Sequence, residues 1–160
     1  TLEDTIKKEK KINAKKTLNK LLEKKIVPII NENDTVATDE IKFGDNDRLS
    51  ARVAEIIKAD LLILLSDVSG LYDKDPKKNK KTRLIKEVRN INKSVMKAAS
   101  FTNNQFAKGG MTTKIMAAKI ATNAGCGMVI VNGNLKKIIE RIFEGKEGTY
   151  FHPKKRKKNN

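Results

Sequence analysis

Apolar and polar residues follow one another along the chain in two kinds of pattern. Apolar residues that recur every three to four positions predict helices at 12–22, 49–59, 92–99, 112–123 and 135–143. Short apolar runs predict strands at 26–30, 61–65, 84–88, 128–131 and 148–151. Looser alternation predicts a hairpin at 35–43, and the lysine-rich residues 73–82 predict a loop. Helices that alternate with apolar strands indicate an α/β fold with a largely parallel sheet.

Three of these elements also carry expectations about burial. The run 26–30 is expected to form a short buried strand, with Pro28 at its start or at an edge. The run 61–65 contains only aliphatic residues, which is typical of a strand in a parallel sheet covered on both faces. The helix at 12–22 has its apolar residues on one stripe, which we expect to be buried against the rest of the domain.

The composition fits a folded domain with a strongly basic surface. Hydrophobic residues make up 38% of the chain, which is enough for a core. The longest apolar run has five residues, whereas a membrane span needs roughly 18. A single cysteine, Cys126, excludes an internal disulfide, and with one histidine, His152, it argues against structural zinc. The single cysteine favours a reducing compartment and no signal-peptide pattern is present, so we expect a cytoplasmic protein that does not bind a membrane.

The net charge of +16 allows two interpretations. Basic residues can neutralise the phosphates of a nucleic acid, so a basic nucleic-acid-binding module is one alternative. However, six arginines among 35 basic residues leave 29 lysines, aromatic residues are only 4% of the chain, and no nucleic-acid-binding motif is present. Solvated lysine faces are therefore the favoured interpretation.

Polar residues cluster after several of the predicted strands. Residues 31–47 hold six carboxylates and one lysine, and form either a solvated, turn-rich loop or the polar floor of an active site. Polar pairs or triplets also follow the strands 61–65 and 128–131. Each could be a simple turn, but the carboxyl ends of parallel strands share one edge of a sheet, where ligands bind. Residues 44–47 precede the helix expected to begin near Leu49, and one of them is expected to cap it.

The stretch 108–114 opens a predicted helix with two glycines, two threonines and a lysine. Such a helix start binds anions through its backbone N–H groups, although a glycine linker with a threonine cap is an equally simple interpretation. The spacing is not that of a P-loop, and no dinucleotide-binding glycine motif follows a strand. Together with the acidic window, this stretch suggests phosphoryl transfer.

Four motifs in a fixed order carry a resemblance to a known family. They are VPIINEND at 27–34, GDND at 44–47, the segment 66–76 with its Ser-Asp, Gly-Leu-Tyr and Asp-Pro groups, and GGMTTK at 109–114. Together they resemble the glutamate 5-kinase family of the amino-acid kinases, over about residues 13–151. The resemblance implies a three-layer α/β/α sandwich with a mainly parallel sheet, similar to acetylglutamate kinase. It also implies ATP-dependent phosphorylation of the γ-carboxylate of L-glutamate to γ-glutamyl phosphate, the first step of proline biosynthesis.

The same resemblance implies a role for individual residues. It implies that Asp34 and Asn46 bind glutamate, since a carboxylate can pair with its ammonium group and an amide with a carboxylate. It implies that Asp47 orients catalytic lysines and that Lys114 stabilises the transferring phosphoryl group, with Mg²⁺ bridging the ATP phosphates and no protein metal ligand assigned. The implied nucleotide-binding residues are Ser66, Asp67, Lys108, Gly109, Gly110, Met111, Thr112, Thr113 and Lys114.

The resemblance also implies how the sequence relates to a complete kinase. Residues 1–151 correspond to the C-terminal portion of the kinase domain, and residues 152–160 are expected to be a basic linker or tail. Family members have a further N-terminal segment with a second catalytic lysine, so we expect the sequence to be incomplete at its N-terminus and poorly active alone. A homo-oligomer and glutamyl phosphate reductase as a partner are implied for the complete protein. An amino-acid kinase that acts on another carboxylate, carbamate or phosphate remains an alternative.

Overall fold

The order of the elements follows the predicted alternation of helices and strands. The computed structural model describes residues 8–31, 45–101 and 110–155, so the predicted hairpin at 35–43 lies outside the described residues. In the described part the helices are α1 (Lys8–Glu23), α2 (Asp45–Ile57), α3 (Lys93–Ser100), α4 (Met111–Asn123) and α5 (Ile138–Phe143). The strands are β1 (Leu61–Ser66), β2 (Glu87–Val88), β3 (Gly127–Asn132) and β4 (Thr149–Phe151).

The four strands form one mixed sheet in the order β1, β3, β4, β2. β1 runs parallel to β3, with Leu61 opposite Gly127 and Ser66 opposite Asn132. β2 runs parallel to β4, whereas β3 and β4 are antiparallel. The prediction of a mainly parallel sheet is confirmed, since two of these three pairings are parallel.

Alternate residues of β3 pack against helices on opposite faces of the sheet. Met128 and Ile130 belong to the larger core, which also contains residues of α2, α3 and α4. Val129 and Val131 pack with Ile138 and Ile142 of α5 in a second cluster. Side chains of a strand point alternately to its two faces, so helices cover both sides of the sheet. The expected three-layer α/β/α arrangement is confirmed.

Small residues line the helices α2 and α4, which pack against each other. Ala51 and Ala54 of α2 are buried in the larger core, as are Ala117, Ala118 and Ala121 of α4. Alanine side chains allow two helix backbones to approach closely. This packing brings the first turns of α2 and α4 next to each other.

The predicted helices are confirmed, with shifted ends. α2 begins at Asp45 rather than near Leu49, so Asn46 lies in the first turn of the helix and not in the preceding loop. α3 begins after Asn92, whose side chain accepts a hydrogen bond from the Val95 N–H at 3.1 Å. α5 begins only at Ile138, after a residue with left-handed backbone geometry.

The prediction of a buried strand at 26–30 is wrong. These residues form neither helix nor strand, and the side chains of Val27 and Ile29 are 83% and 97% exposed. The Ile26 N–H donates to Leu21 O and turns the chain away from the end of α1. An apolar run becomes a strand only when a neighbouring strand pairs with it, and no described strand does so here.

The burial expected for two other elements is also wrong in the described part of the chain. β1 lies at the edge of the sheet rather than inside it, and Leu65 is 54% exposed. The apolar stripe of α1 is only half buried, with Ile12 and Leu22 exposed. The strand predicted at 84–88 is shorter than expected, because only Glu87–Val88 pair with β4.

An ion pair links α1 to α2. Lys11 Nζ donates to Glu55 Oε1 at 2.9 Å, and Arg52 donates to the other oxygen of Glu55 at 2.9 Å. Burial raises the pKa of Glu55, but the hydrogen bonds and charges of Lys11 and Arg52 together outweigh it and lower the pKa below its usual value. The pair therefore stabilises the fold above the pKa of an unfolded glutamate, and this contribution is lost as the pH falls through the lowered pKa.

A buried hydrogen bond connects the segment after β1 to β4, and its removal should destabilise the fold. The Leu71 N–H donates to Thr149 Oγ1 at 2.8 Å, and both residues are fully buried. Thr149→Val keeps the side-chain volume but removes the acceptor, so the free energy of unfolding should fall by about 1–3 kcal/mol. Urea denaturation of the full-length protein measures this change. Thr149→Ser keeps the oxygen and should lower the free energy of unfolding less. Equal decreases for the valine and serine variants would mean that the hydrogen bond to Leu71 does not stabilise the fold.

Candidate active site

An ion pair between the first turns of α2 and α4 forms the centre of the candidate site. Lys114 Nζ donates to Asp47 Oδ2 at 3.1 Å and lies 3.4 Å from Oδ1. Both side chains are only 15% exposed. A carboxylate near the N-terminus of α4 is also favoured by the positive end of the helix dipole. Two residues that the sequence predicts to be catalytic are therefore in direct contact.

Two hydroxyl groups hold the aspartate of this pair. Thr113 Oγ1 lies 2.9 Å from Asp47 Oδ2 and 2.8 Å from Gly110 O. Ser50 Oγ donates to the backbone carbonyl of Asp47 at 2.8 Å. The aspartate is thus held at its carboxylate and at its main chain.

The start of α4 is the predicted phosphate-binding segment. Gly110 is the N-cap residue and, having no side chain, makes no capping hydrogen bond. Met111 is buried in the core and anchors the first turn of the helix. Thr112 follows in the same turn. Lys108 and Gly109 lie outside the described residues. The nucleotide-binding roles of all five residues stay predictions.

The other predicted nucleotide-binding pair lies at the carboxyl end of β1. Ser66 is the last residue of the strand, and its Oγ donates to Asp67 Oδ1 at 3.1 Å. The Gly133 N–H donates to Ser66 O at 2.9 Å, and Asn132 lies opposite Ser66 in the sheet. The expectation that polar turns share one end of the sheet is confirmed for those after β1 and β3, but not for the one after residue 30, because 26–30 is not a strand.

A cavity adjoins the predicted substrate-binding residue Asn46. Its volume is about 460 Å³, and it lies between the segment 28–31, α2 and the start of β1. Asn31 and Ser50 also line it, among mostly apolar residues. Asn46 lines the cavity, whereas Asp47 and Lys114 are not among its lining residues. Asp34, the other predicted substrate-binding residue, lies outside the described residues.

The start of α4 carries groups that can bind an anion, although the charge of Lys114 is balanced by Asp47. Lys114 provides a positive charge beside the N-terminus of a helix, where backbone N–H groups and the helix dipole favour anions.

Among the described residues, no group of three or more His, Cys, Asp or Glu side chains is placed to hold a metal ion. None of the helices in that part of the chain is long and apolar enough to cross a lipid bilayer.

Sequence reasoning missed the contacts that Thr113 and Ser50 make with Asp47. Thr113 was expected to contact the nucleotide, and no role was expected for Ser50. The adjacent hydroxyl and lysine at positions 113 and 114 were visible in the sequence. Their common partner was not, because Asp47 is 67 residues away from Lys114 along the chain.

Comparison with known proteins identifies the family. The sequence profile described as the amino acid kinase family matches residues 2–132. The chain belongs to the amino acid kinase family. The match includes the first turns of both α2 and α4, so the Asp47–Lys114 pair lies within the part of the chain that defines this membership.

Curated members of the amino acid kinase family match nearly all of the chain. A glutamate 5-kinase of Pelagibacter ubique is 53% identical over 154 residues, which cover 96% of this chain and 42% of that protein. A glutamate 5-kinase of Carboxydothermus hydrogenoformans is 52% identical over 161 residues, which cover 98% of this chain and 42% of that protein. The chain thus spans about two fifths of the length of these relatives.

A solved structure of the amino-acid kinase fold supports the same architecture. The UMP kinase from Ureaplasma parvum superimposes with a TM-score of 0.59, at 17% sequence identity, over 86% of this chain and 52% of that chain. At this identity the likeness concerns the fold alone. It agrees with the mainly parallel sheet and its two covered faces.

Proposed function

We propose that the protein transfers the γ-phosphoryl group of ATP to the γ-carboxylate of L-glutamate and forms γ-glutamyl phosphate, the first step of proline biosynthesis. The observation that carries this proposal is the mostly buried Asp47–Lys114 pair at the adjoining starts of two helices. The two relatives at 53% and 52% identity, both named glutamate 5-kinase, support the choice of acceptor.

In the proposed reaction, Lys114 stabilises the negative charge of the transferring phosphoryl group. Phosphoryl transfer depends mainly on positioning and on positive charge around the migrating group. Asp47 keeps the lysine ammonium at the start of α4, where the ATP phosphates are proposed to lie. Mg²⁺ on these phosphates would add positive charge. Ser66 and Asp67 at the end of β1 are proposed to bind the nucleotide.

The cavity beside Asn46 is the proposed place for the acceptor. Its volume of about 460 Å³ is large enough for an amino acid, and the amide of Asn46 can hydrogen-bond a carboxylate. Asp34 is proposed to pair with the ammonium group of glutamate. Asn46, which directly precedes Asp47 in the chain, is the proposed link between this cavity and the ion pair.

Three further proposals follow from this activity. An acyl phosphate is labile in water, so we propose that an enzyme such as glutamyl phosphate reductase consumes the product directly. We also propose that the complete protein is a homo-oligomer. The cytoplasm, where ATP and glutamate are abundant, is the proposed location.

A substrate panel tests the proposed function. The complete protein is incubated with ATP, Mg²⁺ and one acceptor at a time: L-glutamate, L-aspartate, N-acetyl-L-glutamate, carbamate or UMP. We expect release of ADP with L-glutamate alone, and formation of a hydroxamate when hydroxylamine traps the acyl phosphate. ADP release with another acceptor in place of glutamate would assign the chain to a different branch of the family, and release with none would refute the kinase proposal.

A further inference from the structure

The hydroxyl group of Thr113 connects three parts of the candidate site. It lies 2.9 Å from Asp47 Oδ2 and 2.8 Å from Gly110 O, the carbonyl that precedes α4. The same carboxylate oxygen of Asp47 accepts the hydrogen bond from Lys114 Nζ at 3.1 Å. One oxygen atom of Asp47 is therefore shared between a hydroxyl and an ammonium group from consecutive residues.

The direction of the hydrogen bonds from Thr113 follows from the chemistry of its partners. A carboxylate and a backbone carbonyl are acceptors only, so the hydroxyl is the donor, and its single proton is shared between these two oxygens or alternates between them. The backbone N–H of Thr113 also donates to Gly110 O, at 3.1 Å. Both the hydroxyl proton and the amide proton of this residue therefore point to protein acceptors.

We propose that Thr113 is a positioning residue that acts through Asp47. Its hydroxyl fixes one carboxylate oxygen of Asp47, and that oxygen fixes the ammonium group of Lys114 at the start of α4. The role expected from the sequence, a direct contact with the nucleotide, is replaced by an indirect one. The inference rests on the proposed function only in taking phosphoryl transfer as the reaction that Lys114 serves.

The orientation of the Asp47 carboxylate matters because it sets the position of the Lys114 ammonium group in a mostly buried pair. A carboxylate held by a single partner can rotate about its side-chain torsions and carry the ammonium group with it. A second hydrogen bond to the same oxygen removes this freedom before the substrate arrives, and a displacement of about 1 Å in a catalytic group can reduce the rate 100-fold. The backbone of Asp47 is already fixed through Ser50, so the hydroxyl of Thr113 acts on the remaining freedom, that of the side chain.

Steady-state kinetics of the full-length protein test this inference. Thr113→Val should lower kcat about tenfold or more, because it removes the hydroxyl but keeps the shape, while KM for ATP stays within about threefold. Thr113→Ser restores the hydroxyl and should return kcat to within about threefold of the wild type. Thr122→Val is the matched control: it removes another hydroxyl of α4, which donates to Ala118 O, away from the site.

A double substitution distinguishes action through Asp47 from an independent effect. In an Asp47→Asn background, Thr113→Val should reduce kcat by less than about threefold, because the path to Lys114 is already broken. If Thr113→Val lowered kcat in the Asp47→Asn background by the same factor as in the wild type, the proposal would be overturned. A higher KM for ATP with unchanged kcat would do the same, as it would mean that the hydroxyl meets the nucleotide. A serine variant as impaired as the valine variant would show that the hydroxyl is not the active feature.

The wild type, Thr113→Val, Asp47→Asn and the double variant, compared by chemical denaturation, keep this test separate from the proposed function. Glutamate-dependent turnover of the wild type decides the proposed function by itself. If it is absent, the contact is still tested, since Thr113→Val and Asp47→Asn should be coupled in the unfolding equilibrium constant by about fivefold or more. Additive effects of the two substitutions on unfolding would overturn the inference whatever the substrate is.

Discussion

Replacing Lys114 with alanine is expected to reduce kcat of the full-length protein about 100- to 1,000-fold, the usual effect of losing one group that stabilises the transition state. The lysine is 15% exposed and paired with Asp47, so it is held at the start of α4. In the proposed reaction, its charge contributes most when negative charge grows on the transferring phosphoryl group. The loss should therefore fall on kcat more than on KM for ATP.

The control for this experiment is another lysine of the same helix. Lys119 is exposed and lies on a different part of α4, so Lys119→Ala changes the net charge equally but should leave kcat within about twofold. Circular dichroism of both variants shows whether the fold is kept. A loss of less than tenfold in a folded Lys114→Ala variant would mean that this lysine does not stabilise the transferring group.

Gly70→Ala is expected to lower the free energy of unfolding by about 3 kcal/mol or more, as strain and a lost hydrogen bond add together. Gly70 has φ +144°, a backbone geometry that other residues rarely adopt. A Cβ atom built there lies 2.5 Å from Thr149 Oγ1 and 3.1 Å from the backbone nitrogen of Thr149. The new methyl group would displace the oxygen that accepts the Leu71 N–H.

Gly145→Ala is the control that separates crowding against Thr149 from the strain of a positive φ angle. Gly145 also has a positive φ, +69°, but a Cβ atom there meets no other atom within 4 Å. It should cost about 1 kcal/mol, the usual strain of a left-handed residue with a side chain. Thermal and urea denaturation of the two variants in the full-length protein give the comparison. Equal costs at the two positions would show that crowding against Thr149 contributes nothing.

The sequence predicted helices well because their signal is local. The periodic apolar residues of each helix lie within one segment, and the structure confirms the helices that they predict. The strand expected at 26–30 failed because a strand depends on a neighbour that the local pattern does not contain. The same reason explains β1, whose apolar composition was correctly interpreted as a strand but whose place at an edge of the sheet depends on the other strands.

The candidate site was predicted in part. The motifs named both Asp47 and Lys114, and their contact across 67 residues agrees with the roles that the resemblance implies. The place of Asp47 within a helix was missed, because α2 begins earlier than its apolar residues indicate. The contact of Thr113 with Asp47 was also missed, since a hydroxyl in a first turn has the same sequence whether it faces a ligand or a neighbouring helix.

The buried alanines of α2 and α4 set the distance between the two helices. The position of the Asp47–Lys114 pair therefore depends on the size of side chains that lie away from it. Ala51 and Ala54 follow Asp47 at the spacing of one helix face, and Ala118 and Ala121 follow Lys114 in the same way. A larger side chain on either face would force the two helix axes apart. Larger residues at these alanine positions should therefore reduce the proposed kinase activity without touching any group that meets a substrate.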